Sequence, residues 1–272
     1  MLDEASIATA WKSRRGNRGA SVAMWDSIAA DYHEKPLPTF EEDQLLGIVL
    51  RFGMIGPDSR VLDIACGAGG HSLALAPHVA HVTGTDISPK MLQHARERAT
   101  RLRLDNVEFI AEDWRDHDPD AQGTRGAFDL VFAHMTSAVE SAETFEKMSQ
   151  VSRGWCVLSK PIRRDDPFSD GLRAVLGIES NRESGSADIF RGFALLWSQQ
   201  RDPRIEYRDV EWLHKRPLET AREVYLNRMR TYRDLDDSDL ALAEEYLASR
   251  VDADGRVGER TRLTIATLFW HV

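Results

Sequence analysis

Between Arg60 and about Trp155 short apolar runs alternate with longer amphipathic ones. VLDIA, HVTGTDIS, VEFIAED, FDLVFAH and WCVLS are brief and rich in β-branched or aromatic residues, as strands are. HSLALAPHV, PKMLQHARERATRL and AETFEKMSQV repeat their apolar positions at helical spacing. Strands that alternate with helices imply right-handed crossovers and a largely parallel sheet covered on both faces, so the fold class is α/β.

The flanks carry different patterns. Upstream, SVAMWDSIAADYHEK sets Val22, Trp25, Ile28, Ala29 and Tyr32 on one helical face. Beyond Pro36 and Pro38, FEEDQLLGIVLRFG repeats the spacing at Leu45, Leu46, Val49 and Leu50, with acids in the first turn where the helix dipole favours them. After Pro161 the alternation stops. Residues 162–250 read as a cap or insert, with an aromatic segment IFRGFALLW, a late strand RIEYRDVEWLH and the helices LETAREVYLNRMRTY and DSDLALAEEYLASR. RLTIATLFW then supplies a final strand over 262–270. The 272 residues are expected to make one domain: an N-terminal arm and lid helices over 1–52, a core over 60–160, and the cap.

Composition narrows the function classes. With 42% hydrophobic and 29% charged residues the chain can bury a sizeable core. Lys plus Arg number 35 against 44 Asp plus Glu, a formal charge of −9, the wrong sign for affinity built on phosphate neutralisation, so nucleic acid is disfavoured as a partner. Cys66 and Cys156 are too few for a disulfide framework or a cysteine zinc site, and no metal-ligand spacing is visible. The first residues lack the apolar core of a signal peptide, and no run of about twenty apolar residues is long enough to span a bilayer, so a cytoplasmic protein is expected. Lys12, Arg14, Arg15 and Arg18 form a basic arm that either stays mobile or folds over an anionic ligand.

The strongest chemical signal is VLDIACGAGGHS over residues 61–72, a strand entering a glycine-rich turn and then a helix. That junction lies at the carboxyl edge of an open α/β sheet, where ligands bind. Gly67 and Gly69 let the backbone approach a ligand. The second strand ends at Asp86, whose carboxylate can accept both hydroxyls of a ribose, and the third leads to Asp113 and Trp114, suited to an adenine amino group and a ring face. A nicotinamide dinucleotide would use the same ribose carboxylate. Against it stand Ser72, where the fingerprint wants Gly or Ala, and the charge of Asp63 close to the pyrophosphate position; a ligand bearing an ammonium, such as S-adenosylmethionine, would welcome that charge.

In these pieces, over roughly residues 22–160, the chain resembles the class I S-adenosylmethionine-dependent methyltransferases, and most of all their small-molecule branch of ubiquinone and menaquinone biosynthesis. The matching segments are VLDIACGAGG, TGTDIS with PKML, AED, FDLVFAHM and the upstream MWDSIAADYHEK; Ala65 stands where many members have glycine. The resemblance implies a Rossmann-like, mostly parallel seven-stranded sheet. It implies that Asp63 and the backbone of Ala65, Gly67 and Gly69 hold the methionine part, that Asp86 holds the ribose, and that Ile87, Met91, Asp113 and Trp114 surround the adenine. Tyr32 either closes over the cofactor or simply packs.

Methyl transfer from a sulfonium needs a base only when the acceptor arrives protonated. His134, directly beyond FDLVFA, is the candidate base or else a pocket-shaping residue. His71 and His33 are weaker, and Cys66 reads as packing. The acceptor is expected to be a small molecule chosen by the cap, through Phe190, Phe193, Trp197, Trp212, Tyr225 and Tyr232 or through Arg163, Arg164, Arg191 and Arg228, although the aromatics can equally form the cap's own core. A catalytically silent cofactor-binding subunit and an RNA or protein methyltransferase stay open beside this reading. S-adenosylhomocysteine is the expected product, and the oligomeric state is not encoded legibly.

Overall fold

A computed structural model describes residues 4–13, 17–33, 35–179 and 184–272. Its elements are α1 (Glu4–Ala10), α2 (Arg18–Ile28), α3 (Ala30–His33), α4 (Gln44–Arg51), β1 (Arg60–Ile64), α5 (Gly70–Leu75), β2 (His81–Asp86), α6 (Pro89–Leu102), β3 (Val107–Ala111), β4 (Phe128–His134), α7 (Ala142–Val151), β5 (Ser152–Asp165), α8 (Pro167–Val175), α9 (Ser184–Ser198), β6 (Arg204–Pro217), α10 (Leu218–Arg230), α11 (Asp237–Ala248) and β7 (Arg256–His271).

The seven strands form one sheet in the order β3-β2-β1-β4-β5-β7-β6. The first five are parallel, and β7 runs antiparallel between β5 and β6. The order reverses between β1 and β4, which opens the ligand-binding crevice of such sheets at their carboxyl ends. Strand residues alternate between two cores. Leu62, Ile64, Val131 and Ala133 face α1, α7 and α9, whereas Val61, Leu130 and Phe132 face α4 and α5.

Two boundaries differ from the sequence expectation. The final strand begins at Arg256, because its first residues pair with the far end of β6, Arg216 opposite Val257, in a ribbon that projects past the parallel strands. The segment 162–250 is also not one cap. The apolar face of α9 packs on the sheet with α1 and α7, so α9 belongs to the main helical layer. Only α8, α10 and α11 share a separate core, centred on Phe168, Leu172, Tyr225, Met229 and Leu247.

The N-terminal helices sit over the carboxyl edge. α2 packs between α10 and α6, and Trp25, Ile28, Ala29 and Tyr32 meet Ala68, Met91 and Val224. Among the described residues no helix is long and apolar enough to cross a membrane.

Candidate active site

The glycine loop is held by its neighbours. Ala65, Gly67 and Gly69 adopt φ of 57°, 55° and 73°, alternating left-handed residues between the end of β1 and the first turn of α5. Such backbone favours glycine, and an L side chain there costs roughly 1–2 kcal/mol, so Ala65 is a strained residue in the loop. Gly69 is needed for a further reason: a Cβ there would lie 2.9 Å from the Phe109 ring and 3.2 Å from the Ala95 Cβ. Its bare side therefore faces α6 and β3, and the expectation that it admits a ligand gives way to close protein packing. A Cβ on Gly67 would meet only the Met91 sulfur at 3.9 Å, so there the demand is on φ.

Asp63, near the end of β1, is buried and accepts the Ser72 hydroxyl at 2.6 Å. Burial pushes its carboxyl up to about 6, against the opposing Ser72 hydrogen bond. Asp86, the last residue of β2, accepts the backbone N–H groups of Gly67 at 2.9 Å and Ser88 at 2.8 Å, one per oxygen. Burial raises this carboxyl as well, with those N–H groups opposing. Asp86 thus ties the strand end to the loop and keeps a lone pair on each oxygen for a further donor. Ile87 follows it half-buried, and Met91 is buried beneath Tyr32.

At the end of β3 the structure departs from expectation. Trp114 is turned away from the crevice. It is buried in the core beneath α7, its indole N–H donates to the Thr144 carbonyl at 2.8 Å, and its ring stacks on His117. It cannot cover a ring in the crevice. Asp113 stays at the edge but is engaged by Arg115 at 2.7 Å and Arg18 at 3.0 Å. Burial works against its charge, but the Arg115 hydrogen bonds prevail and hold the carboxyl below its usual range. The basic arm is thus represented by Arg18, which lies over Asp113 and Asp116; Arg14 and Arg15 lie outside the described residues.

His134 ends β4 beside His71, ring centroids 4.6 Å apart, and Met135 beyond it has φ 55°. Burial lowers the His134 imidazole to about 3, so in neutral solution it is uncharged and a poor proton acceptor, which counts against the expected base. The six aromatics do not converge on one pocket. Phe190, Trp197, Trp212 and Tyr232 are exposed, Phe193 packs on the sheet layer, and Tyr225 lies in the small core. Arg228 is not solvent-facing; it lies against Glu259 at 3.3 Å and Ser169 at 2.8 Å.

Sequence reasoning missed Arg98. It projects from the apolar face of α6 and donates to the carbonyls of Tyr32, Ala68 and Lys35, clamping the N-terminal segment to the glycine loop. A charged residue in register with Met91, Ala95 and Ala99 was the available signal. Asp43 was also passed over, and His71 was weighed only as a weaker candidate.

This strand order, with an antiparallel seventh strand and a glycine loop after β1, defines the class I fold of the S-adenosylmethionine-dependent methyltransferases. Residues 55–171 match a family described as a methyltransferase domain. A candidate methyltransferase from Bacillus halodurans shares the fold at a TM-score of 0.51 and 17% identity, over 82% of this chain and 97% of that one. Among curated relatives, the 23S rRNA (uracil(1939)-C(5))-methyltransferase RlmD of Klebsiella pneumoniae is 34% identical over 88 residues, 32% of this chain and 20% of that protein. Its counterpart in Shewanella sediminis is 46% identical over 59 residues, 22% of this chain and 13% of that protein. The chain therefore spans a fifth or less of the length of these relatives.

Proposed function

We propose that this protein transfers the methyl group of S-adenosylmethionine to a small-molecule acceptor in the cytoplasm. The observation that carries the reading is Asp86, a buried carboxylate with spare acceptor capacity, fixed to the N–H of Gly67 in the same loop that brings Asp63 to the crevice. In this reading Asp86 accepts the ribose hydroxyls. Asp63 and the loop backbone at Ala65 and Gly67 hold the methionine ammonium and carboxylate. Ile87 and Met91 line the adenine, Asp113 accepts its amino group once Arg18 yields, and Tyr32 closes the site from above. When bound, the cofactor supplies a methyl group activated by a sulfonium for in-line displacement. The chain's own part is to align the two reactants and exclude water, a contribution worth roughly 7–11 kcal/mol.

The small-molecule reading is supported by the net charge of −9 and by the packing of α2 and α10 together against the glycine loop. The likeness to the rRNA enzymes covers only a fraction of those proteins.

Calorimetric titration with S-adenosylhomocysteine, beside NADH, tests the cofactor. Micromolar binding of the first alone, weakened at least about tenfold in Asp86→Asn, is the expected result. Binding of NADH alone would replace the reading with a dehydrogenase. Turnover of a small-acceptor panel, measured against rRNA fragments, separates the acceptor classes and the catalytically silent alternative.

A further inference from the structure

Three side chains that this reading leaves without a task meet where the N-termini of α4 and α5 approach the end of β4. Asp43 is the N-cap of α4, its Oδ1 accepting the Leu46 N–H at 3.0 Å. His71 stands in the first turn of α5 and His134 closes β4. One ligand-type atom from each lies within 4.8 Å of the other two. Nε2 of His71 and Nδ1 of His134 are shielded from solvent and have no hydrogen-bond partner. Leaving a buried polar atom bare costs about 1–3 kcal/mol; Nδ1 of His134 is bare here, and Nε2 of His71 has only the carboxylate of Asp43 near it.

The spacing is informative. Nε2 of His71 lies 3.3 Å from Oδ1 of Asp43. Two ligands bonded at about 2.0–2.1 Å to one tetrahedral ion stand about 3.3 Å apart, the edge of the tetrahedron. Two imidazoles and one carboxylate suit a borderline transition metal; Mg²⁺ and Ca²⁺ prefer oxygen.

We propose that Asp43, His71 and His134 form a binding site for one divalent transition-metal ion of the Zn²⁺ or Co²⁺ class. Three protein ligands leave a coordination position for a further group. The pattern escaped the sequence because its members come from a helix cap, a helix start and a strand end that only the fold brings together. His134 ends β4 on the sheet edge that also carries Asp63. If the methyltransferase reading holds, on which this last step rests, the open position serves an acceptor bearing an oxygen, whose proton would pass to solvent as the oxygen binds the metal, leaving the oxygen ready to take the methyl group.

The test uses the full chain, treated with a chelator and free of any cofactor, so its failure leaves the methyltransferase reading untouched. Zn²⁺ is titrated calorimetrically and Co²⁺ is followed by its visible absorption. The expected result is one equivalent bound at micromolar affinity or tighter, with the intense absorption of low-coordinate Co²⁺. His134→Ala and Asp43→Asn should each weaken binding at least tenfold; the asparagine retains an acceptor for the α4 cap, so the loss cannot be assigned to unfolding. No saturable binding would overturn the proposal, and so would an affinity unchanged in both variants, which would place the ion elsewhere, for instance at His33, His94 and Glu97.

Discussion

The guanidinium of Arg98 donates to the carbonyl oxygen of Ala68 at 3.0 Å, joining the buried face of α6 to the glycine loop. Its other donors reach the carbonyls of Tyr32 and Lys35. One side chain thus joins the N-terminal segment, the glycine loop and α6.

Arg98→Met keeps the apolar stem and removes the donors. Three carbonyls lose a charged partner, so urea unfolding should show a loss of about 3 kcal/mol. S-adenosylhomocysteine affinity should fall as well, because the lid is no longer held down. A variant with unaltered stability would show that water replaces the clamp without cost.

Ala65 sits at φ 57° in the loop. Relieving roughly 1–2 kcal/mol of strain, less the roughly 0.5–1 kcal/mol that glycine loses in chain entropy, Ala65→Gly should stabilise the fold by about 0–1.5 kcal/mol. A lower midpoint in thermal unfolding would contradict the strain.

Asp63 gives the ligand affinity a pH dependence. Burial, opposed by the Ser72 hydroxyl, raises its carboxyl to about 6 without ligand. An ammonium binds the charged form, so below pH 6 binding must first expel a proton. Affinity for S-adenosylhomocysteine should therefore fall by up to about tenfold per pH unit as pH drops from 6 to 5, and should be level above 7. Titration heats at pH 5 should vary with the buffer's ionisation enthalpy; an affinity flat from 5 to 8 would remove the ammonium from Asp63.

Asp188 is buried between Lys160, 2.7 Å away, and the Trp11 indole N–H at 2.9 Å, tying α9 to β5 and to the segment after α1. Removing the carboxylate takes away the buried ammonium's charged partner at 2.7 Å. Asp188→Ala should cost about 3–5 kcal/mol in urea unfolding, a loss that an exposed pair such as Arg125 with Asp120 would not approach.

Asp86→Ala looks from the sequence like a clean removal of a ribose contact. The structure makes Asp86 also the acceptor of Gly67 and Ser88 N–H groups, so alanine should destabilise the loop as well as the ligand. Asp86→Asn keeps one of the two acceptors and sets an amide donor against the other N–H, so its loss of affinity is to be read beside its stability in urea unfolding.

The sequence by itself determined the parallel core, because strand and helix periodicities are local and VLDIACGAGG, TGTDIS and AED each lie at a junction that periodicity marks. Asp63, Asp86 and Asp113 were therefore legible as edge residues before any contact was known. The tertiary structure decided what periodicity does not carry. Trp114 and Asp113 are adjacent, yet one turns into the core and the other to the edge, a rotation set by the short turn between β3 and the chain leading to β4. α9 joined the sheet layer because its apolar face found α1 and α7, partners far away in sequence. Asp43, His71 and His134 became a cluster only where a helix cap, a helix start and a strand end met. Side-chain direction and long-range company are fixed by packing, and packing is a property of the whole chain.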